Sequence, residues 1–271
     1  MPELPEVEVT CQGLAPLITK FVKAVVIRNY SLRWPIPIDL PIILEGQQLL
    51  ELKRRAKYIL ARFTKGTLIL HLGMSGRLCI MPKGSKPKKH DHVDFVFSDE
   101  AVILRYTDPR RFGSILWTKD NPLEHRLLKK LGPEPLEKEF DAEYLECKLK
   151  NKKQCIKSSI MDAHNVVGVG NIYASEALFN AGIKPQRKSG QLTRKELQLI
   201  VTSIKDIISK AILKGGSTMN DFFDVNGENG YFQNEHKVYG REGKNCYECQ
   251  SIILQSTLGQ RSSFFCNQCQ K

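Results

Sequence analysis

Removal of Met1 from the opening stretch Met1-Pro2-Glu3-Leu4-Pro5-Glu6-Val7-Glu8 would leave Pro2 with a free secondary amine beside the carboxylates of Glu3 and Glu6. An α-amino group titrates near 7.7–8.0 against about 10.4 for lysine, so its neutral, nucleophilic fraction at neutral pH is larger by up to a few hundredfold. Attack of such an amine on an aldehyde-level carbon gives a cationic iminium, which makes neighbouring C–H and C–O bonds labile. Glu3 and Glu6 are close enough in sequence to serve as acid or base. The same residues admit a structural role, because Pro2 and Pro5 stiffen the terminus and a proline is tolerated in the first turn of a helix.

A second constellation is Cys246-x2-Cys249-x16-Cys266-x2-Cys269. Each C-x-x-C pair lets two thiolates reach one metal, and two pairs complete a tetrahedron, the pattern of one structural zinc ion with no open catalytic position. Redox disulfides are the alternative, but no thioredoxin-like βαβ pattern surrounds the cysteines. So short a segment cannot bury a core of its own, so the metal must hold it together. Within it, Arg261 follows Gly259-Gln260, a hairpin position from which a guanidinium can take a phosphate bidentately, or simply stand exposed. Cys11, Cys79, Cys147 and Cys155 are scattered and read as free thiols of a reducing compartment.

The elements that must position these groups fall into distinct stretches. Residues 48–117 are β-rich, with strands expected at Tyr58–Phe63 and Thr67–His71 around Lys65-Gly66, and at Asp94–Phe97 and Val102–Tyr106 around Ser98-Asp99-Glu100. A helix is expected from Pro5 to Ile18, interrupted near Gly13 and Pro16, then a strand at Lys23–Arg28. Gly132-Pro133-Glu134-Pro135 interrupts helix and ladder alike and suits a domain boundary. Residues 139–215 read as helical, and Thr193 with Glu196 forms a capping box ahead of the stripe Leu197, Ile200, Val201, Ile204, Ile207, Ile208 and Ala211. Gly168-Val169-Gly170-Asn171 makes a tight turn before a helix N-terminus, a geometry that suits phosphate. Residues 217–230, STMNDFFDVNGENG, are expected to be a long loop.

Lys and Arg number 41 against 29 acids, a net charge of +12 with pI near 9.3, which favours a polyanionic partner such as nucleic acid over a membrane-surface patch or plain solubility. There is no run of eighteen apolar residues and no basic segment followed by an apolar core, so neither a membrane span nor a signal peptide is expected, and the chain is expected to be a cytoplasmic monomer.

MPELPEVE, KRRAKY, HLGMSG, KHDH, YTDPRRFG, LGPEPL, VVGVGNIYASEALF, VYGR and the terminal four cysteines together resemble the bacterial formamidopyrimidine-DNA glycosylases over essentially the whole chain. The resemblance implies an α+β fold: an N-terminal β-sandwich with flanking helices (1–131), a helical helix–two-turn–helix domain with a lesion-binding loop (132–236), and a four-cysteine zinc-finger β-hairpin (237–271). It implies a bifunctional glycosylase and abasic-site lyase that removes oxidised purines from damaged double-stranded DNA. Pro2 would be the nucleophile, Glu3 the acid, Lys57 an aid to proton transfer, and Arg261 the grip on the lesion phosphate. Glu6 would support substrate positioning, and His71, His90, Lys153 and Asn171 would contact DNA. Met74, Arg110 and Phe112 would fill the space of an everted nucleotide, with Arg110 facing the orphaned cytosine; taken singly, each of these residues reads as ordinary core or surface.

Relatives usually carry two arginines at the positions of Cys11 and Gln12, which puts in doubt the charge this helix offers to DNA. The rivals are an endonuclease VIII-like enzyme for oxidised pyrimidines and a non-catalytic zinc-ribbon DNA-binding protein. Leu4-Pro5-Glu6 and Phe112 favour the purine branch, and the intact Pro2-Glu3 pair argues against loss of catalysis.

Overall fold

Strands rich in β-branched, leucine and aromatic residues build two four-stranded antiparallel sheets from the first part of the chain. The computed structural model describes residues 1–98, 102–217 and 232–271. One sheet has the order β2 (Leu49–Arg55), β3 (Tyr58–Phe63), β4 (Gly66–His71), β8 (Ser114–Thr118); the other runs β1 (Val22–Ile27), β6 (Asp91–Phe97), β7 (Val102–Thr107), β5 (Arg77–Pro82). Ile59, Ala61, Phe63, Leu68, Leu70 and Ile115 of the first sheet meet Val93, Phe95, Phe97, Leu104 and Tyr106 of the second in one buried core. The architecture is therefore a β-sandwich, and β3 spans the residues that its sequence pattern marks.

Helix α1 (Leu4–Gly13) packs on β2 and β3 and gives way to a 3-10 turn at Ala15–Leu17, the interruption expected at Gly13 and Pro16. It is tied to β2 by Arg54, whose Nε donates to Glu8 Oε2 at 2.6 Å. A short helix α2 (Leu40–Leu44) packs against β1. The chain divides into two compact units, Met1–Lys129 with the segment that begins at Gly215, and Lys130–Lys214 with Phe232–Lys271.

In the second unit α3 (Ala142–Leu149), α4 (Ile156–Met161), α5 (Asn171–Asn180) and α6 (Arg194–Leu213) precede the hairpin β9 (Ile253–Leu258) and β10 (Arg261–Cys266). Thr193 caps α6 with the reciprocal Glu196 bond, and the whole expected apolar stripe is buried. At the hairpin tip Gly259 and Gln260 both have positive φ, 52° and 62°, as a two-residue turn of primed type requires. Asp99 and Glu100 of the expected β6–β7 turn, and residues 218–230 of the expected loop, lie outside the described residues. Among the described residues no helix is long and apolar enough to cross a membrane.

Across the outer face of β6 and β7 lies an ionic cluster. Arg105, only 2% exposed, donates Nε to Asp94 Oδ1 at 2.7 Å and Nη2 to Asp94 Oδ2 at 2.8 Å, while Arg28 reaches Asp94 at 2.5 Å. Burial alone would raise the Asp94 carboxyl, yet the hydrogen bonds from Arg105 and Arg28 hold it below the usual aspartate value. Replacing Arg105 by alanine would leave Asp91 buried without a cation and Asp94 with Arg28 alone, so a loss of about 3–5 kcal/mol is expected in urea unfolding, and a loss below about 1 kcal/mol would contradict this reading of the cluster.

Candidate active site

Pro2 and Glu3 are buried at the start of α1, with Glu3 2% and Glu6 1% exposed, whereas Met1 is 44% exposed. Glu3 is the capping residue just before the first turn of α1, and its backbone N–H donates to Glu6 Oε2 at 2.7 Å. The other Glu6 oxygen accepts the backbone N–H of Ser217 at 2.8 Å. Gly216, at φ 81°, passes so close that a Cβ there would lie 3.0 Å from Glu6 Oε1. Both Glu6 oxygens thus accept backbone N–H groups, and they join the entry of α1 to Gly215–Ser217. Cys11, on the same helix, belongs to the sandwich core, and burial pushes its thiol up to about 12. Gln12 instead donates to Glu8 at 2.9 Å. Neither position presents a cation.

Lys57 follows Ala56, which takes a left-handed φ of 56° in the tight β2–β3 turn. Register pairs Tyr58 with His71, whose rings lie 4.7 Å apart. The His71 ring is pushed down to about 4, first by burial and then by the charges of Lys57 and Arg33. It is therefore neutral at neutral pH. Its Nδ1 accepts the Gly73 N–H at 3.0 Å, which leaves the proton on Nε2 as a donor. Lys57 and His71, from separate motifs, come together.

Met74, Arg110 and Phe112 sit on two loops that a fully buried carboxylate clamps. Asp108 Oδ1 accepts from Ser75 Oγ at 2.8 Å, and Oδ2 accepts from Gly113 N at 2.9 Å and the Tyr106 hydroxyl at 3.3 Å. Ser75 Oγ in turn accepts from the Arg110 N–H at 3.1 Å. Gly73, at φ 64°, leaves no room for a Cβ against the Phe112 backbone carbonyl. Phe112 stands 48% exposed with the Arg110 guanidinium 5.2 Å from its ring centre, an apolar wedge beside a donor fork. His90 is linked through its carbonyl, which accepts the Asp108 N–H at 3.0 Å. Asp108 and Ser75 escape a reading by residue type, although both lie within HLGMSG and YTDPRRFG.

In the second unit, Asn171 opens α5 and its Nδ2 donates to the Ser262 carbonyl at 3.0 Å, while its buried Oδ1 has no hydrogen-bond partner among the described residues. Lys157, 1% exposed on α4, donates to the same carbonyl at 2.9 Å and to Ser263 Oγ at 2.8 Å. These bonds fix the hairpin whose tip presents the exposed Arg261. Glu176 accepts the backbone N–H groups of Lys237, Val238 and Tyr239 at 2.7–2.9 Å and so anchors the approach to the hairpin. Neither Lys157 nor Glu176 stands out by residue type or spacing. Lys153, in the segment before α4, is exposed.

The thiols of Cys246, Cys249, Cys266 and Cys269 all lie within 4.8 Å of one another, with Cys249–Cys266 at 3.4 Å and Cys246–Cys269 at 3.9 Å. Tetrahedral thiolates about 2.3 Å from a zinc ion stand roughly 3.8 Å apart, so this set fits such a metal. Phe179, Val238, Ile253 and Phe264 supply only a small apolar surround.

Residues 1–115 match the formamidopyrimidine-DNA glycosylase N-terminal domain and residues 131–222 the formamidopyrimidine-DNA glycosylase H2TH domain. A formamidopyrimidine-DNA glycosylase of Methylobacillus flagellatus is 53% identical over 271 residues, covering 100% of this chain and 97% of the relative. Among solved structures, a point mutant of the Lactococcus lactis FPG protein in complex with Fapy-dG containing DNA is 32% identical with a TM-score of 0.92, covering 100% of both chains. The wild-type Lactococcus lactis protein in complex with an oxidized pyrimidine containing DNA is likewise 32% identical with a TM-score of 0.92 and the same coverage.

Replacing Asp108 by asparagine keeps its shape but turns one acceptor oxygen into a donor facing an existing N–H or O–H. The expected cost is about 1–3 kcal/mol of local stability, read as hydrogen exchange at the Gly113 and Arg110 amides faster by roughly tenfold or more in a protein that still melts cooperatively. Unchanged protection at both amides would show that Asp108 does not hold the two loops.

Proposed function

The chain belongs to the formamidopyrimidine-DNA glycosylase family, and we propose that it is a bifunctional glycosylase and abasic-site lyase that excises oxidised purines, 8-oxoguanine and formamidopyrimidines, from duplex DNA. The observation that carries this reading is the buried Pro2-Glu3 pair at the entry of α1, with each Glu6 oxygen accepting a backbone N–H group. Once Met1 is removed, the Pro2 amine attacks C1′ of the damaged nucleotide. Glu3 protonates the sugar ring oxygen as the ring opens, and the base departs. The resulting iminium acidifies C2′, so successive β and δ eliminations expel the flanking phosphates and leave a one-nucleotide gap.

Met74, Arg110 and Phe112, held on their two loops by Asp108, fill the space of the everted nucleotide, and Arg110 offers donors to the orphaned cytosine. Lys57 and neutral His71 serve the phosphates beside the lesion, with Lys57 aiding proton transfer; His90, Lys153 and Asn171 take backbone contacts, and Arg261 grips the lesion phosphate. A structural zinc ion on Cys246, Cys249, Cys266 and Cys269 keeps the hairpin folded and leaves no open coordination position for catalysis. The work divides among a catalytic domain (1–131), a helix–two-turn–helix domain (132–236) and a zinc finger (237–271), in a monomer that acts in the cytoplasm. The oxidised pyrimidine in the Lactococcus lactis complex supports a secondary range of substrates that includes such bases.

Retaining Met1, or adding any N-terminal tag, converts the Pro2 amine into a tertiary amide whose lone pair is delocalised. Excision of 8-oxoguanine and strand cleavage should then both vanish, while affinity for an abasic-analogue duplex persists. Glu3→Gln should lower base release by roughly 10²–10⁴-fold and still cleave a preformed abasic site. Full excision by the Met1-retaining protein would refute the mechanism.

A further inference from the structure

Between β5 and β6 the segment Lys83-Gly84-Ser85-Lys86-Pro87-Lys88-Lys89-His90 contains four lysines and no acid. A run of this kind is usually a solvated, mobile face, but here its backbone is fixed from beneath. The buried Arg105 donates Nη2 to the Ser85 carbonyl at 2.8 Å and Nη1 to the Lys86 carbonyl at 3.2 Å. Asp91 Oδ2 accepts the Lys88 N–H at 2.7 Å, and the Asp91 N–H donates to the Lys88 carbonyl at 3.1 Å. Ser85 closes the turn by donating its hydroxyl to the Pro82 carbonyl at 2.6 Å.

The nearby carboxylates are already committed. Asp94 is held by Arg105 and Arg28, and Asp91 by Arg105, the Thr107 hydroxyl and the Lys88 N–H. Lys86, Lys88 and Lys89 therefore stand exposed above a neutralised cluster, and among the described residues none of the three takes a salt bridge. Gathering like charges on a rigid loop raises the local potential, which an anionic partner relieves. The far end of the loop joins the candidate site, because the His90 carbonyl accepts the Asp108 N–H and exposed Arg110 and Arg111 follow directly.

We propose that Lys86, Lys88 and Lys89 form a preorganised phosphate-binding arm that holds the backbone of duplex DNA next to the segment 108–112. The proposal rests on the DNA-glycosylase reading for its choice of partner. It adds a sequence-independent contact, made by the loop's rigidity as well as its charge.

The test is the salt dependence of binding to an undamaged duplex, measured by fluorescence anisotropy over a range of KCl concentrations. The slope of log K against log salt should become shallower by about 0.9 for each lysine that holds a phosphate, or roughly 2.7 for Lys86→Gln, Lys88→Gln and Lys89→Gln combined. The corresponding triple arginine variant should keep the wild-type slope. The single Lys88→Gln and Lys89→Gln proteins give the same reading in smaller steps should the triple glutamine variant fold poorly. Equal slopes for wild type and the glutamine variants would overturn the proposal, as would an unchanged DNA slope accompanied by lost binding to anionic phospholipid vesicles. Because this duplex has no lesion, the outcome is independent of base excision. Excision of 8-oxoguanine by the wild-type protein tests the glycosylase reading separately.

Discussion

The Glu6 carboxylate accepts the Glu3 N–H with one oxygen and the Ser217 N–H with the other, and the geometry of the N-terminus depends on this buried pair of bonds. A carboxylate taken out of water is costly unless its lone pairs are filled, and backbone N–H donors to an ionised acceptor are among the stronger hydrogen bonds. With Glu6 engaged in this way, α1 can begin at Leu4 with Pro2 and Glu3 packed inside rather than frayed in solvent. The Glu8–Arg54 pair fixes the helix to β2 one turn further on. The nucleophile proposed at Pro2 needs such an anchor, because a terminus that is not tied down is poorly ordered.

The same device recurs wherever a functional loop is set. Asp108 clamps the two loops that carry Met74, Arg110 and Phe112, and Arg105 holds the lysine loop through two carbonyls. In the second unit, Lys157 and Asn171 share the Ser262 carbonyl behind Arg261, and Glu176 gathers three consecutive N–H groups. In each case a buried polar side chain takes the place of regular secondary structure in satisfying loop backbone, which gives a loop the precision of a strand. The four cysteines do this with a metal-ligand set instead, where the apolar surround is too small to do it alone.

Sequence periodicity made the strands, the interrupted N-terminal helix and the capped α6 legible, because alternation, Gly-Pro interruption and the Thr193/Glu196 box are local signals. The four-cysteine cluster was legible for the same reason, since its spacing is itself the geometric statement. The anchors were not. Lys157 reads as one more surface lysine, and its partners lie 105 and 106 residues away. Asp108 stands in an Asp-Pro pair that reads as a turn, so nothing local distinguishes a buried hub from an exposed turn residue. The approach of Lys57 to His71 follows from the β3–β4 register, which pairs the adjacent Tyr58 with His71, rather than from either motif. At Cys11 and Gln12, where the resemblance leads one to expect two arginines, the fold holds a core residue and a helix-surface hydrogen bond to Glu8.

The central claim is that the N-terminal amine of Pro2 is the nucleophile. Borohydride reduction of the protein mixed with a duplex containing 8-oxoguanine opposite cytosine, followed by mass mapping of the cross-linked peptide, tests it directly. The account predicts one adduct, on the peptide that begins with Pro2, with Lys57 unmodified. An adduct on Lys57 with Pro2 unmodified would contradict it.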